Sequence, residues 1–211
     1  MTSAPADEAR GLLRFFVVPG ALIATNWAAL LGALTVIGLV PALAAATRTT
    51  SRLREQPDVA FRSTLSRALG TLRRDAPTSV LTVLMILAIG FDALFVASLP
   101  SPSRVFVAGI LIPPAWATIA WISAYVRVAA ESGTVSWFEV AREAMGLCVS
   151  RPLRAALAPA AVIALSPLWL LAPLTIACGF SVPPLVVGAL WGAWGADARE
   201  PRTPARAHRT S

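Results

Sequence analysis

Asp92, in the stretch GFDALF, is the only ionisable residue deep inside an otherwise uncharged run. A carboxylate in hydrocarbon costs about 2.5–3.5 kcal/mol on insertion scales, so it must face other helices or water. Asn26, early in the preceding apolar run, and Arg104, at the mouth of the next one, complete a candidate intramembrane polar cluster. Counted inward from the expected outer ends at Leu99 and Ala21, Asp92 and Asn26 lie at depths differing by only ~3 Å at 1.5 Å per residue. An Asp92–Asn26 hydrogen bond is then geometrically reasonable, with Arg104 as counter-ion. Such a group is either an outward-facing solute or proton site, or an interhelical polar clamp of the kind worth about 0.6 kcal/mol in membrane proteins.

Other chemistry has little material. The sole histidine, His208, sits in the C-terminal tail, so no Ser/His/Asp arrangement is available. There is no Gly-rich phosphate loop and no pair of carboxylates within an apolar run. No catalytic residue, metal site or cofactor is expected. Cys148 and Cys178 fall on opposite sides of the expected apolar layer and read as neither a disulfide nor a metal pair.

The elements that must position these residues follow from composition. Of 211 residues, 56% are apolar and 14% charged, and the mean hydropathy is +0.69. These values point to an all-α polytopic transmembrane bundle. Uncharged runs cover residues 15–47, 76–103 (broken by Asp92), 105–126 and 155–196. About 20 residues cross a ~30 Å hydrocarbon core, so the first three runs hold one span each. The fourth is twice that length and turns near Pro173 and Cys178-Gly179. The expected spans are 21–46, 78–99, 105–127, 154–173 and 178–196, forming a transmembrane domain over residues 21–196. Residues 1–20 form an N-terminal segment lying along the interface before Pro19-Gly20 turns the chain inward. Residues 197–211 form a disordered basic tail. In the last span, Gly179, Gly188, Gly192 and Gly195 offer a small face for a partner helix.

The net charge of +7 comes from 18 arginines and no lysine. With the N-terminus outside, Arg10, Arg14 and Arg104 are external and the other fifteen arginines are cytoplasmic, as retention of positive flanks requires. The C-terminus is then cytoplasmic too. Within the first basic connection, Phe61, Leu65, Leu69 and Leu72 recur at helical spacing, and Arg62, Arg67, Arg73 and Arg74 fall mostly off that stripe. This is a basic amphipathic helix suited to membrane lipids or to a protein partner, each arginine being worth about 1 kcal/mol near an anionic surface. No base-stacking or groove-reading module accompanies it, so nucleic acid is not expected as a partner. A second helix, around Trp137, aligns with the first at an offset of 76 residues, with three identities in fourteen, Val59/Val135, Ala68/Ala144 and Gly70/Gly146. The offset describes either a parallel internal repeat or two similar amphipathic helices.

Asn26-Trp27, GLVPALAAATR at 38–48, the helix opening at Val59-Ala60-Phe61, and GFDALF together resemble the YesL-like family of bacterial membrane proteins, also called domain of unknown function 624. The likeness covers roughly residues 12–195. Members usually carry an Asn-Phe pair where this chain has Leu72-Arg73-Arg74-Asp75. The resemblance implies a bacterial cytoplasmic membrane protein without established activity, associated with sugar-uptake genes. It therefore implies an accessory or scaffold role beside a carbohydrate-uptake system, with a sugar ABC-transporter permease as partner. The reading from residues alone keeps a small-solute transporter open as the alternative, with its site at Asp92 and Asn26.

Overall fold

The computed structural model describes residues 4–53, 57–133 and 135–192, with side chains from residue 17 onward. The tail with His208 and Gly195 lies outside them. Every regular element among the described residues is helical, as an all-α bundle requires.

The first apolar run does not cross as one rod. Helix α1 (Ala4–Ala33) continues unbroken through Pro19, where a turn is expected. A proline forfeits one backbone hydrogen bond, which a helix in apolar surroundings tolerates. After Leu34-Thr35 a 3-10 turn at Val36–Gly38 leads into α2 (Leu39–Ser51). A Cβ on Gly38 would stand 2.0 Å from the Gly32 carbonyl oxygen, so only glycine lets the chain fold back this tightly. α2 returns antiparallel to α1: Gly32 abuts Ala42, Ala29 clusters with Ala42 and Ala46, and Ala21 packs with Leu53 and Ala60. Alanines at 42, 44, 45 and 46 are all buried. Their small side chains let neighbouring backbones approach, and this 13-residue helix sits at the centre of the fold. The expected span 21–46 is thus a helical hairpin.

Helix α3 (Ala60–Ser98) unites two elements expected to be separate, the basic amphipathic helix and the second span. Between Ala60 and Ser98 only Pro77 interrupts the backbone ladder, and a charged triplet at 73–75 is no helix breaker. At about 58 Å, the helix far exceeds the hydrocarbon core. Its buried stripe is Ala60, Thr64, Ala68, Asp75 and Ser79. Phe61 and Leu69 lie one residue off that stripe and face outward.

Leu99-Pro100 reverses the chain into α4 (Ser101–Glu131). The distal halves of α3 and α4 are exposed, with Leu87, Phe91, Leu94, Val105 and Phe106 all facing out. The core lies near the arginine-bearing ends, where Ala124, Tyr125 and Val128 of α4 meet Val40 and Ala44. Helix α5 (Trp137–Ser150) opens with a reciprocal cap between Ser136 and Glu139 and contributes buried Val140, Ala144 and Leu147 to that core. At the repeat offset, α5 starts within a residue of where α3 does. It then breaks before Pro152, where α3 runs on through Pro77.

The fourth run is shorter-jointed than expected. α6 (Pro152–Leu165), α7 (Pro167–Leu170) and α8 (Ala172–Leu174) lead to a π-turn at Thr175–Gly179 and then α9 (Val182–Trp191). Prolines at 152, 167, 173 and 183 start these pieces, where a missing N–H costs nothing. Among the described residues, three stretches are long and apolar enough to cross a membrane: Pro57–Ser98, Ser101–Glu131 and Pro152–Leu170. A fourth exists if Ala172–Gly179 and Val182–Trp191, bent by 55°, count together. The five-span expectation is reduced accordingly, because the first run is spent on a hairpin.

Candidate functional site

The expected polar cluster is not assembled. Asn26 is fully buried, and its amide spans the π-turn: Nδ2 donates to the carbonyls of Thr175 (3.1 Å) and Ile176 (2.8 Å), and Oδ1 accepts the Phe180 N–H at 2.6 Å. A π-turn disrupts the ordinary helical ladder, and one asparagine supplies the missing partners. Arg104 closes the other end of the bundle by donating to the carbonyls of Ala97 (2.9 Å) and Leu99 (3.0 Å). It caps α3 at the negative pole of that helix. Asp92 is half-buried and makes no hydrogen bond or ion pair among the described residues. Matched depths for Asp92 and Asn26 require Ala21 to lie at the end opposite the arginines. Ala21 packs instead beside Leu53 and Ala60.

The principal buried polar network involves Asp75, which sequence reading passed over as part of a charged triplet. Arg74 grips its carboxylate with two parallel bonds, Nε to Oδ1 at 2.8 Å and Nη2 to Oδ2 at 2.9 Å. Tyr125 donates its hydroxyl to Oδ1 at 2.9 Å. The same guanidinium reaches carbonyls at and just beyond the end of α4, at Ala129 (3.3 Å), Ser132 (3.3 Å) and Gly133 (2.9 Å). One turn on, Thr78 accepts the Trp137 indole N–H at 2.8 Å, and Ser79 accepts the Val40 N–H at 3.1 Å. This joins α2, α3, α4 and α5. Every member is satisfied, which is what a low-dielectric site demands.

The residues expected to dock lipid or a partner therefore divide. Phe61, Arg62 and Arg73 face outward. Arg74 is engaged in internal bonds, and Trp137 stays exposed while its indole N–H is bonded inward to Thr78. Arg67 is half-buried among the like charges of Arg48, Arg52 and Arg74. The pKa of Arg48 is lowered by burial and by Arg52, and its side chain donates to the Ala130 carbonyl at 3.3 Å.

A third arginine group closes α9. Arg151 and Arg154 both donate to the Trp191 carbonyl at 2.6 Å, and Arg127 donates to the next one, at Gly192, at 3.0 and 2.9 Å. Gly192 has φ +72°, a left-handed conformation that glycine adopts without strain. Arginines thus cap the C-terminal ends of α3, α4 and α9, so part of the positive charge read as a topology signal also holds helix ends in place.

Beside this group lies a cavity of about 430 Å³. It is bounded by α2, α3, α4, α6 and α9, is walled almost wholly by apolar side chains, and has Arg127 in its lining. No protein-family model, curated protein or solved structure matches the chain.

Proposed function

We propose that this protein is a membrane-embedded accessory or scaffold component rather than a carrier of small polar solutes. The observation that carries this reading is the use of its polar residues. Asn26, the partner a solute site at Asp92 would need, is committed to two backbone carbonyls and an N–H, and Arg104 is turned to the carbonyls that end α3. A sugar or ion path needs polar groups with unspent bonding capacity. The exposed distal halves of α3 and α4 supply apolar surface for lipid or for the helices of a partner. The outward Phe61, Arg62 and Arg73 suit the headgroup layer. The resemblance to YesL-like proteins adds the association with carbohydrate uptake, and a sugar ABC-transporter permease as the partner to test. With the arginine-bearing end on the cytoplasmic face, Ala21 puts the start of the first apolar run on that face too, in place of the expected outside position.

The test has two arms. Proteoliposomes containing only this protein should accumulate no labelled sugar, and a tagged copy should copurify with a sugar permease from its native membrane. Uptake by the protein alone would establish the transporter reading instead.

A further inference from the structure

The cavity beside α9 has one chemical character along its walls and another at Arg127. Leu43, Ile86, Ile119, Ile122, Val162 and Trp169 supply apolar surface. The lining hydroxyls are spent on their own helices: Thr47 donates to the Leu43 carbonyl at 2.8 Å, Thr82 to Thr78 at 2.7 Å, and Ser123 to Ala120 at 2.7 Å. They have no proton left to offer a ligand, so the oxygens of a sugar entering here would find no hydroxyl donor to replace water.

Arg127 differs. Its residue surface is 8% exposed, and its Nε and Nη2 bond to Gly192 and Glu131. Nη1 has no acceptor among the described residues, and no buried side-chain nitrogen or oxygen there lacks a partner. Nη1 must therefore reach accessible space. A guanidinium carries five N–H donors, and the two on Nη1 form a ready contact for an oxyanion. Arg154, bonded to the adjacent carbonyl, adds positive charge, and Glu131 is the one acid bonded to the group among the described residues.

A single cation in the wall of an apolar cavity is complementary to an amphiphile with one anionic group and a hydrocarbon chain. The volume falls within the ~300–1,000 Å³ range of ligand pockets. Ile86, in the lining, is 58% exposed, so the cavity opens on the outward side of α3, where bilayer lipid would lie. We propose that the cavity holds one chain of an anionic phospholipid, with a phosphate oxygen on Arg127 Nη1.

The experiment is native mass spectrometry of the full chain in detergent, titrated separately with phosphatidylglycerol, phosphatidylcholine and glycerol 3-phosphate. The expected result is a one-to-one phosphatidylglycerol adduct, retained at least tenfold better than phosphatidylcholine, with no comparable glycerol phosphate adduct. Filling the cavity by Ile86→Trp and Ile119→Trp should reduce that adduct at least tenfold. Arg127→Gln should remove the preference for the anionic head. Because Arg127 also caps α9 and its loss could unfold the chain, the two filling variants decide the matter, checked for unchanged melting. Equal retention of the two lipids, or adducts indifferent to filling, would mean surface lipid only and overturn the proposal. Binding of glycerol 3-phosphate as tight as that of the lipid would overturn it too, leaving an anion site with no chain.

Discussion

Replacing Asp75 by Asn keeps the shape of the side chain and removes its charge, which isolates what the carboxylate does. In the native protein it takes two bonds from Arg74 and one from Tyr125, at 2.8–2.9 Å, with its own side chain fully buried. Removing one partner of a buried ion pair costs about 3–5 kcal/mol, because the other charge stays buried without compensation. Arg74 keeps its contacts to the α4 carbonyls at the negative pole of that helix, so the loss should fall near 3 kcal/mol. Tyr125→Phe removes one bond to a charged acceptor, for about 1.5–3 kcal/mol. Since that bond depends on the carboxylate, the double variant should fall short of the sum by about 0.5–3 kcal/mol. Reversible unfolding in mixed micelles, followed by tryptophan emission, measures all four corners of the cycle. An Asp75→Asn variant within about 0.5 kcal/mol of the parent, or strictly additive costs, would refute the view that this network holds α3 to α4.

Asn26→Ala should destabilise by more than the ~0.6 kcal/mol average of interhelical polar contacts in membrane proteins. It should approach the 1–3 kcal/mol of an orphaned buried group, and unfolding in the same micelles will measure it. Asp92→Asn should leave stability within about 0.5 kcal/mol, since the side chain has no partner to lose; a larger change by the same method would reveal a contact the fold does not contain. Arg67→Gln should stabilise the protein at neutral pH. It removes one of four clustered guanidiniums, those of Arg48, Arg52, Arg67 and Arg74, so the gain, read from the same unfolding measurement, should shrink with added salt because like charges are screened.

The helical class and the concentration of arginine at one end were legible because both rest on composition and local period. The hairpin was not, although length hinted at it: residues 15–47 would make a rod of about 50 Å, well beyond the hydrocarbon core. The same arithmetic divides 155–196, but Gly32, Gly38 and Pro41 look like ordinary membrane-helix residues, and whether they turn the chain depends on what α2 packs against. The continuity of α3 was hidden by the habit of ending a helix where charge gives way to apolar sequence, whereas the backbone ladder is indifferent to that change. Apart from the adjacent Arg74–Asp75 pair and Arg104, whose carbonyl partners lie 5 and 7 residues back, the Asp75 network and the arginine caps depend on partners 37 to 83 residues away, such as Trp191 for Arg154 and Glu131 for Arg48, and no local pattern encodes them. The Asn26 error followed from the hairpin, since a residue's depth is defined only once the path of its helix is known.

The path of the first apolar run is tested most directly by a disulfide between cysteines placed at 32 and 42, in a chain whose Cys148 and Cys178 are replaced by serine. A Cβ on Gly32 would lie 3.0 Å from that of Ala42, and a small outward shift brings the pair into the 3.5–4.5 Å range of disulfides. In a single rod the two positions would stand about 15 Å apart, beyond bridging. Rapid intramolecular cross-linking of Gly32→Cys/Ala42→Cys in native membranes is the result predicted. Failure to cross-link, with position 42 opposite position 21 in sidedness labelling, would contradict the hairpin and the placement of Asn26 that follows from it.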